Sequence, residues 1–320
     1  MYARLAPTAL LLALAACQNA PPAAVPGEAH MLEAETFLAD GLTDSALAAF
    51  GLAIEENPNL VTAHMGMGDI YHEQARYDRA CRSYEHAVRL RPDSFDAHYR
   101  LGLSYQHWGR PEKAAPVYLR ALLIDPTSFD ANYHLAGTYL QLGNPGEALP
   151  YADRAIDLDG AQQGAWANLA AAHSLLGDYE KAVEAYRQAI ELGDQAPPLL
   201  LGYADALIRL ERYARAVNVL RMMVRRHPDA IAHERLGYCH FKTRRYATAR
   251  DSYRKALELA PDDTSALNGL GAALMSLYLR DGGSNREHYR EAMNAWRRSL
   301  KVRSDQPRIV DLITRFRRTR

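Results

Sequence analysis

From Gly27 onward, apolar and small residues recur at helical spacing, in blocks of roughly a dozen positions separated by polar stretches rich in Gly, Pro, Asn and Asp. In "RYDRACRSYEHAVRLRPDS", "RPEKAAPVYLRALLIDPTS" and "DYEKAVEAYRQAIELGDQ" an alanine is followed four positions on by an aromatic and three further by another alanine. That spacing places all three on one helix face. The leading alanines are Ala46, Ala80, Ala114, Ala148, Ala182 and Ala216, each 34 residues after the last, then Ala249 after 33 and Ala292 after 43. Twelve residues ahead of each lies a second small residue: Ala34, Gly68, Gly102, Ala136, Ala170, Ala204 and Gly237, with Gly271 in register once a nine-residue insertion is allowed for. Two fixed small positions in a helical repeat predict two helices crossing closely there, because larger side chains would hold the axes apart. Tyr71, Tyr105 and Tyr139 on the first helix, with Phe50, Tyr84, Tyr118, Tyr186 and Tyr253 on the second, are expected to fill the space beside the crossing. Pro58, Pro92, Pro126, Pro228 and Pro261 are placed to close the second helix.

This pattern resembles the tetratricopeptide repeat, over residues 27 to 304. The resemblance implies an all-α fold, a right-handed α-solenoid of about eight helix pairs. Repeats are expected near 27–60, 61–94, 95–128, 129–162, 163–196, 197–229, 230–263 and 264–305, the last carrying an insertion at 276–288. Within it "LRDGGSNREHYR" reads as a flexible loop between lengthened helices. Residues 306–320 read as a basic capping helix, with Ile309, Leu312, Ile313 and Phe316 on one face.

In such arrays the first helix of each repeat lines a concave groove, with positions two, five, nine and twelve facing inward. Carried onto this sequence, the rule selects Met65, Asp69 and His72 in the second repeat, Tyr99 in the third, Tyr133 in the fourth, and Glu234, Tyr238 and Phe241 in the seventh. Lys and Arg are missing from these positions, which disfavours a basic clamp on a C-terminal carboxylate. An aromatic and mildly acidic groove suits an extended peptide or a partner helix with apolar anchors and cations. The competing reading is that the tyrosines pack against neighbouring first helices.

Nothing in the chain spells catalysis: there is no HExxH, phosphate loop, GxSxG or partnered nucleophilic cysteine. His30, His64, His98 and His233 each occupy the fourth position of a repeat, too dispersed for one ion, so packing and hydrogen bonding explain them better. Cys81 and Cys239 read as buried apolar residues. No enzyme, cofactor or metal is expected. Lys plus Arg and Asp plus Glu both number 38, yet residues 1–205 hold 13 basic and 26 acidic groups while 206–320 hold 25 and 12. The basic C-terminal third is expected to be solvated surface or to meet an anionic surface or acidic partner, and the asymmetry permits head-to-tail self-association. Nucleic acid is not an expected partner of an exported chain.

Export is suggested by the first residues: Arg4, then a mostly apolar run from Leu5 to Ala16, too short for a bilayer span. Leu14, Ala15, Ala16 and Cys17 resemble the bacterial lipobox, which implies a signal peptide at 1–16, a diacylglyceryl thioether on Cys17, and a Pro/Ala-rich tether at 17–26. Gln18, rather than Asp, follows the cysteine, which points to the outer membrane of a two-membrane cell. With the repeats, this architecture is similar to envelope lipoproteins of pilus biogenesis, including pilotins and tight-adherence assembly lipoproteins. It implies a membrane-anchored scaffold for envelope proteins, with an adaptor for a cell-wall enzyme or the regulatory part of a transferase as alternatives.

Overall fold

The computed structural model describes residues 26–318. Among them the regular structure is helical throughout and falls into two compact units divided between Pro126 and Thr127. The first unit contains α1 (Glu28–Ala39), α2 (Thr43–Glu56), α3 (Val61–Glu73), α4 (Tyr77–Leu90), α5 (Phe95–His107) and α6 (Pro111–Ile124). The second contains α7 (Phe129–Gln141), α8 (Pro145–Leu158), α9 (Gln163–Leu176), α10 (Tyr179–Leu192), α11 (Pro197–Arg209), α12 (Tyr213–Arg226), α13 (Ala230–Lys242), α14 (Tyr246–Leu259), α15 (Thr264–Arg280), α16 (Arg286–Val302) and α17 (Pro307–Arg318). In both units each odd-numbered helix packs on the even-numbered helix that follows, giving eight antiparallel pairs and a final single helix.

The two rows of small residues make these pairs. All eight leading alanines, Ala46 to Ala292, are fully buried. At their partners the second-helix aromatic lies across the first helix: Tyr84 over Gly68, Tyr118 over Gly102 and Tyr253 over Gly237. Removing rings of that size from water is worth roughly 2–3 kcal/mol each, and the close approach works only where the opposing residue has no side chain.

Second helices stop two residues before Pro58, Pro92, Pro126, Pro228 and Pro261, because the residue preceding proline is forced out of the helical region. First helices start on side-chain caps where the sequence supplies them: Ser94, Ser128 and Asp229 accept from the backbone N–H three residues on, at 3.2, 3.2 and 2.8 Å. The turn inside each pair passes through the left-handed region, at Gly41, Gly109, Gly143 and Gly177, and also at Ala75, Glu211 and Arg244.

The fourth-position side chains hold the turns between pairs. His64 Nε2 donates to the carbonyl of Pro58 at 3.1 Å, His98 Nε2 to that of Pro92 at 3.0 Å, and Trp166 Nε1 to that of Gly160 at 2.9 Å. Two histidines and a tryptophan thus satisfy the equivalent carbonyl, six residues upstream, that the closing turn leaves without a helical partner.

The insertion is absorbed into helix. α15 and α16 run to 17 residues each, and only residues 281–285 form a turn, through Gly282 and Gly283 at positive φ. This differs from the loop expected over 279–290, because Tyr278 and Tyr289 pack on each other at 5.4 Å and extend the pair. Ile309 and Ile313 of α17 are buried against Leu274, Met293 and Trp296. Gln306, buried ahead of that helix, donates to the carbonyls of Ser299 at 3.0 Å and Arg303 at 2.7 Å and accepts from Asn268 at 2.7 Å. No described helix is long and apolar enough to cross a membrane. The proposed signal peptide and Cys17 lie outside the described residues.

Candidate functional site

In the first unit, α3 and α5 lie side by side, and the polar residues on their shared face meet. Asp69 accepts from Tyr84 Oη at 2.6 Å and from Arg100 Nη1 at 2.5 Å, while Arg100 Nε donates to Asp96 at 2.8 Å. Burial works against the Arg100 charge, but its hydrogen bonds and the fields of Asp96 and Asp69 outweigh that, and its pKa is raised. Beside this group His72 Nδ1 lies 2.8 Å from Ser104 Oγ, with its ring edge-on to His107 at 5.2 Å. Burial, then the neighbouring His107, lowers the His72 pKa. Asp69, His72, Glu73, Tyr84, Arg100 and Leu103 line a cavity of about 120 Å³. Met65 is half-buried one turn ahead of Asp69.

The second unit repeats the arrangement between α11 and α13. Arg235 Nε donates to Asp205 at 2.8 Å and Nη1 to Glu234 at 2.5 Å. Asp69 and Asp205 both hold position nine of their repeats, and Arg100 and Arg235 both hold position six of the next. Glu234 is only 7% exposed; burial raises its pKa against the opposing pull of Arg235. Around this pair Tyr213 and Tyr238 meet edge to face at 6.3 Å, and Lys242 Nζ lies 5.6 Å from the Tyr238 ring centre. These groups, with Ile208, Arg209 and Glu211, line a larger cavity of about 460 Å³.

The residues expected to line one continuous groove therefore sort into two groups. Asp69 and His72 share the first cavity, and Glu234 and Tyr238 the second. Tyr99 instead stacks on Phe95 at 5.8 Å and leans on Tyr118. Tyr133 stacks on Phe129 and covers Gly164 of the next first helix, and Phe241 packs on Tyr246 inside its own pair. Lys and Arg are missing from the selected positions, yet Arg100, Arg235 and Lys242 line the same cavities. They occupy positions six and thirteen, which the inward-facing rule omits. A signal was available: an arginine at position six one repeat after an aspartate at position nine occurs twice.

Cys81 and Cys239 are buried, and desolvation pushes both thiols up to about 12, so neither is a nucleophile at neutral pH.

The family model described as the Cilia and flagella-associated protein 70 C-terminal domain matches residues 5–270. The chain belongs to this tetratricopeptide-repeat family. Three solved structures show how the tetratricopeptide architecture compares. A tetratricopeptide repeat protein from Parabacteroides merdae is 20% identical with a TM-score of 0.54, over 78% of this chain and 98% of that one. A chain of the Cut9–Hcn1 assembly of the APC/C is 18% identical with a TM-score of 0.52, over 89% of this chain and 55% of that one. YrrB, described as a TPR protein with an unusual peptide-binding site, is 22% identical with a TM-score of 0.49, over 57% and 92%. For the first two, at these identities, the likeness is one of fold alone. No curated protein matches the tetratricopeptide chain.

Proposed function

We propose that this tetratricopeptide array is a non-catalytic scaffold that binds extended or helical segments of partner proteins on its first-helix faces. The observation that carries the reading is the pair of immobilised arginines. A guanidinium has five N–H donors, and each of these uses two on carboxylates of its own chain. The remaining donors lie beside cavities walled by tyrosine, a combination suited to partner carbonyls and apolar anchors. Holding the guanidinium in advance removes the ordering entropy that a free arginine would lose on binding.

Affinity purification after mild crosslinking, with Arg100→Gln and Arg235→Gln as comparison, tests this. The variants are expected to lose partners that the wild type retains, and an unchanged partner set overturns the groove.

The lipobox resemblance of Leu14 to Cys17 supports an envelope location, anchored through Cys17 and facing the periplasm, most simply at the outer membrane because Gln18 follows. Assembly of pilus or secretion components is the specific role we attach to this reading, and a cell-wall adaptor is its rival. Incorporation of labelled fatty acid that disappears in Cys17→Ser is expected, and label that persists overturns the anchor. Loss of surface fibres on deletion separates the pilus role from co-purified cell-wall hydrolase activity.

A further inference from the structure

The first repeat exposes a face that later repeats bury. Position three of the first helix holds Ala63, Ala97, Ala165, Ala232 and Ala266, all fully buried. Position ten holds Ile70, Ser104, Ala172, Ala206 and Cys239, also buried. Position six meets the preceding repeat directly: Gly66 lies against Phe50, Gly202 against Tyr186 and Gly269 against Tyr253. In α1 the same three positions are Ala29, Leu32 and Thr36, and all are exposed, Leu32 by 66%. This is an inter-repeat face with no repeat described ahead of it, and stacking units of this kind need their end faces covered or polar.

The two ends of the chain carry opposite charge. Residues 26–60 contain seven acidic residues and no Lys or Arg, whereas residues 297–318 contain eight Lys or Arg and two acidic residues. On α17, Ile309 and Ile313 face inward, while Val310, Thr314 and Arg317 form an exposed stripe at helical spacing, flanked by Arg308 and Arg315. We infer that the open face of α1 receives the outer face of α17 of a second copy, a head-to-tail contact with Leu32 and Val310 at its centre and glutamates facing arginines at its rim. The contact is heterologous, so an assembly of any length keeps one free head and one free tail for further copies. Its residues lie on α1 and α17, neither of which lines either of the two cavities described above.

Sedimentation velocity of the full chain tests it, with the head made basic by Leu32→Arg/Glu35→Arg and the tail made acidic by Arg308→Glu/Arg315→Glu. All four positions are exposed, so unchanged circular dichroism and melting are expected. Wild-type chains should associate at about 0.1 M salt and dissociate toward about 1 M, as the screening length shortens from about 10 Å to about 3 Å. Each variant alone should raise the dissociation constant about tenfold or more, because like charges then face each other. Mixing the two variants should restore association, since each head again meets a tail of opposite sign. Association that neither variant weakens, or that mixing fails to restore, overturns the contact. So does a monomer at both salt concentrations, the result expected if residues 1–25 of the same chain cover α1 instead.

Discussion

The ring of Tyr84 lies directly across Gly68, so that a Cβ at residue 68 would fall 2.5 Å from Tyr84 Cε1 and 2.7 Å from Cδ1. The ring cannot swing aside freely, because its hydroxyl is hydrogen-bonded to Asp69 at 2.6 Å. Gly68→Ala is therefore expected to destabilise the first unit by about 1–3 kcal/mol through overpacking. Gly51 in the middle of α2 is the counterpart: nothing lies within 4 Å of its would-be Cβ. Gly51→Ala should stabilise by about 0.5–1 kcal/mol, the ordinary helix-interior difference. Urea unfolding should show midpoints moving in opposite directions for these two changes of one methyl group.

Ala75, Glu211 and Arg244 hold φ near +55°, +55° and +59° at the turn where the other five pairs have glycine. A side chain in that region loses about 1–2 kcal/mol, and glycine returns part of the difference through its looser unfolded chain, about 0.4–1 kcal/mol. Replacing each by glycine should raise stability by about 0.5–1 kcal/mol, additively because the three turns are far apart in sequence and share no partner. A fall in melting temperature for any of the three would contradict this.

Arg235 is the countercharge of the buried Glu234 carboxylate. Arg235→Ala should destabilise the second unit by about 2–3 kcal/mol, less than for a fully buried pair because the guanidinium itself is half-exposed. The loss has a defined pH dependence. Without Arg235 the folded-state pKa of Glu234 rises further above its unfolded value, so the penalty is absent below about pH 4 and grows as pH rises toward neutrality. Adding Glu234→Gln to Arg235→Ala should recover much of the stability near pH 7. No recovery would mean that the packing of Arg235, and not its charge, is what matters.

His72, His86, His233 and His240 all have lowered pKa values, with desolvation the leading cause in each. The unfolded chain therefore binds protons more readily than the folded one just below the ordinary histidine pKa of about 6.5, and stability falls as pH drops through that range. Melting temperature should decrease from about pH 7.5 to about pH 5.5, beyond the range where carboxylates respond. His72→Gln, which keeps a hydrogen-bonding side chain beside Ser104, should flatten part of this slope, and an unaltered slope would remove His72 from the account.

The sequence alone determined the helix pair. Its 34-residue spacing of Ala46, Ala80 and Ala114, matched twelve residues earlier by Ala34, Gly68 and Gly102, is a local steric code, since two helices cross closely only where both are small. The histidines at position four were likewise separable from a metal site by their dispersal, although the carbonyls of Pro58 and Pro92 that they bond emerged only from the fold. What the tertiary structure decided is what lies between repeats. Arg100 and Arg235 belong to the cavities because Asp69 and Asp205 reach them from the neighbouring first helix, a relation across about thirty residues that no single-helix periodicity encodes. Leu32, at the same repeat position of the first helix, is 66% exposed. One repeat position thus holds a half-buried glycine against a ring, a paired arginine or an exposed leucine, the first two set by what the adjacent repeat places opposite.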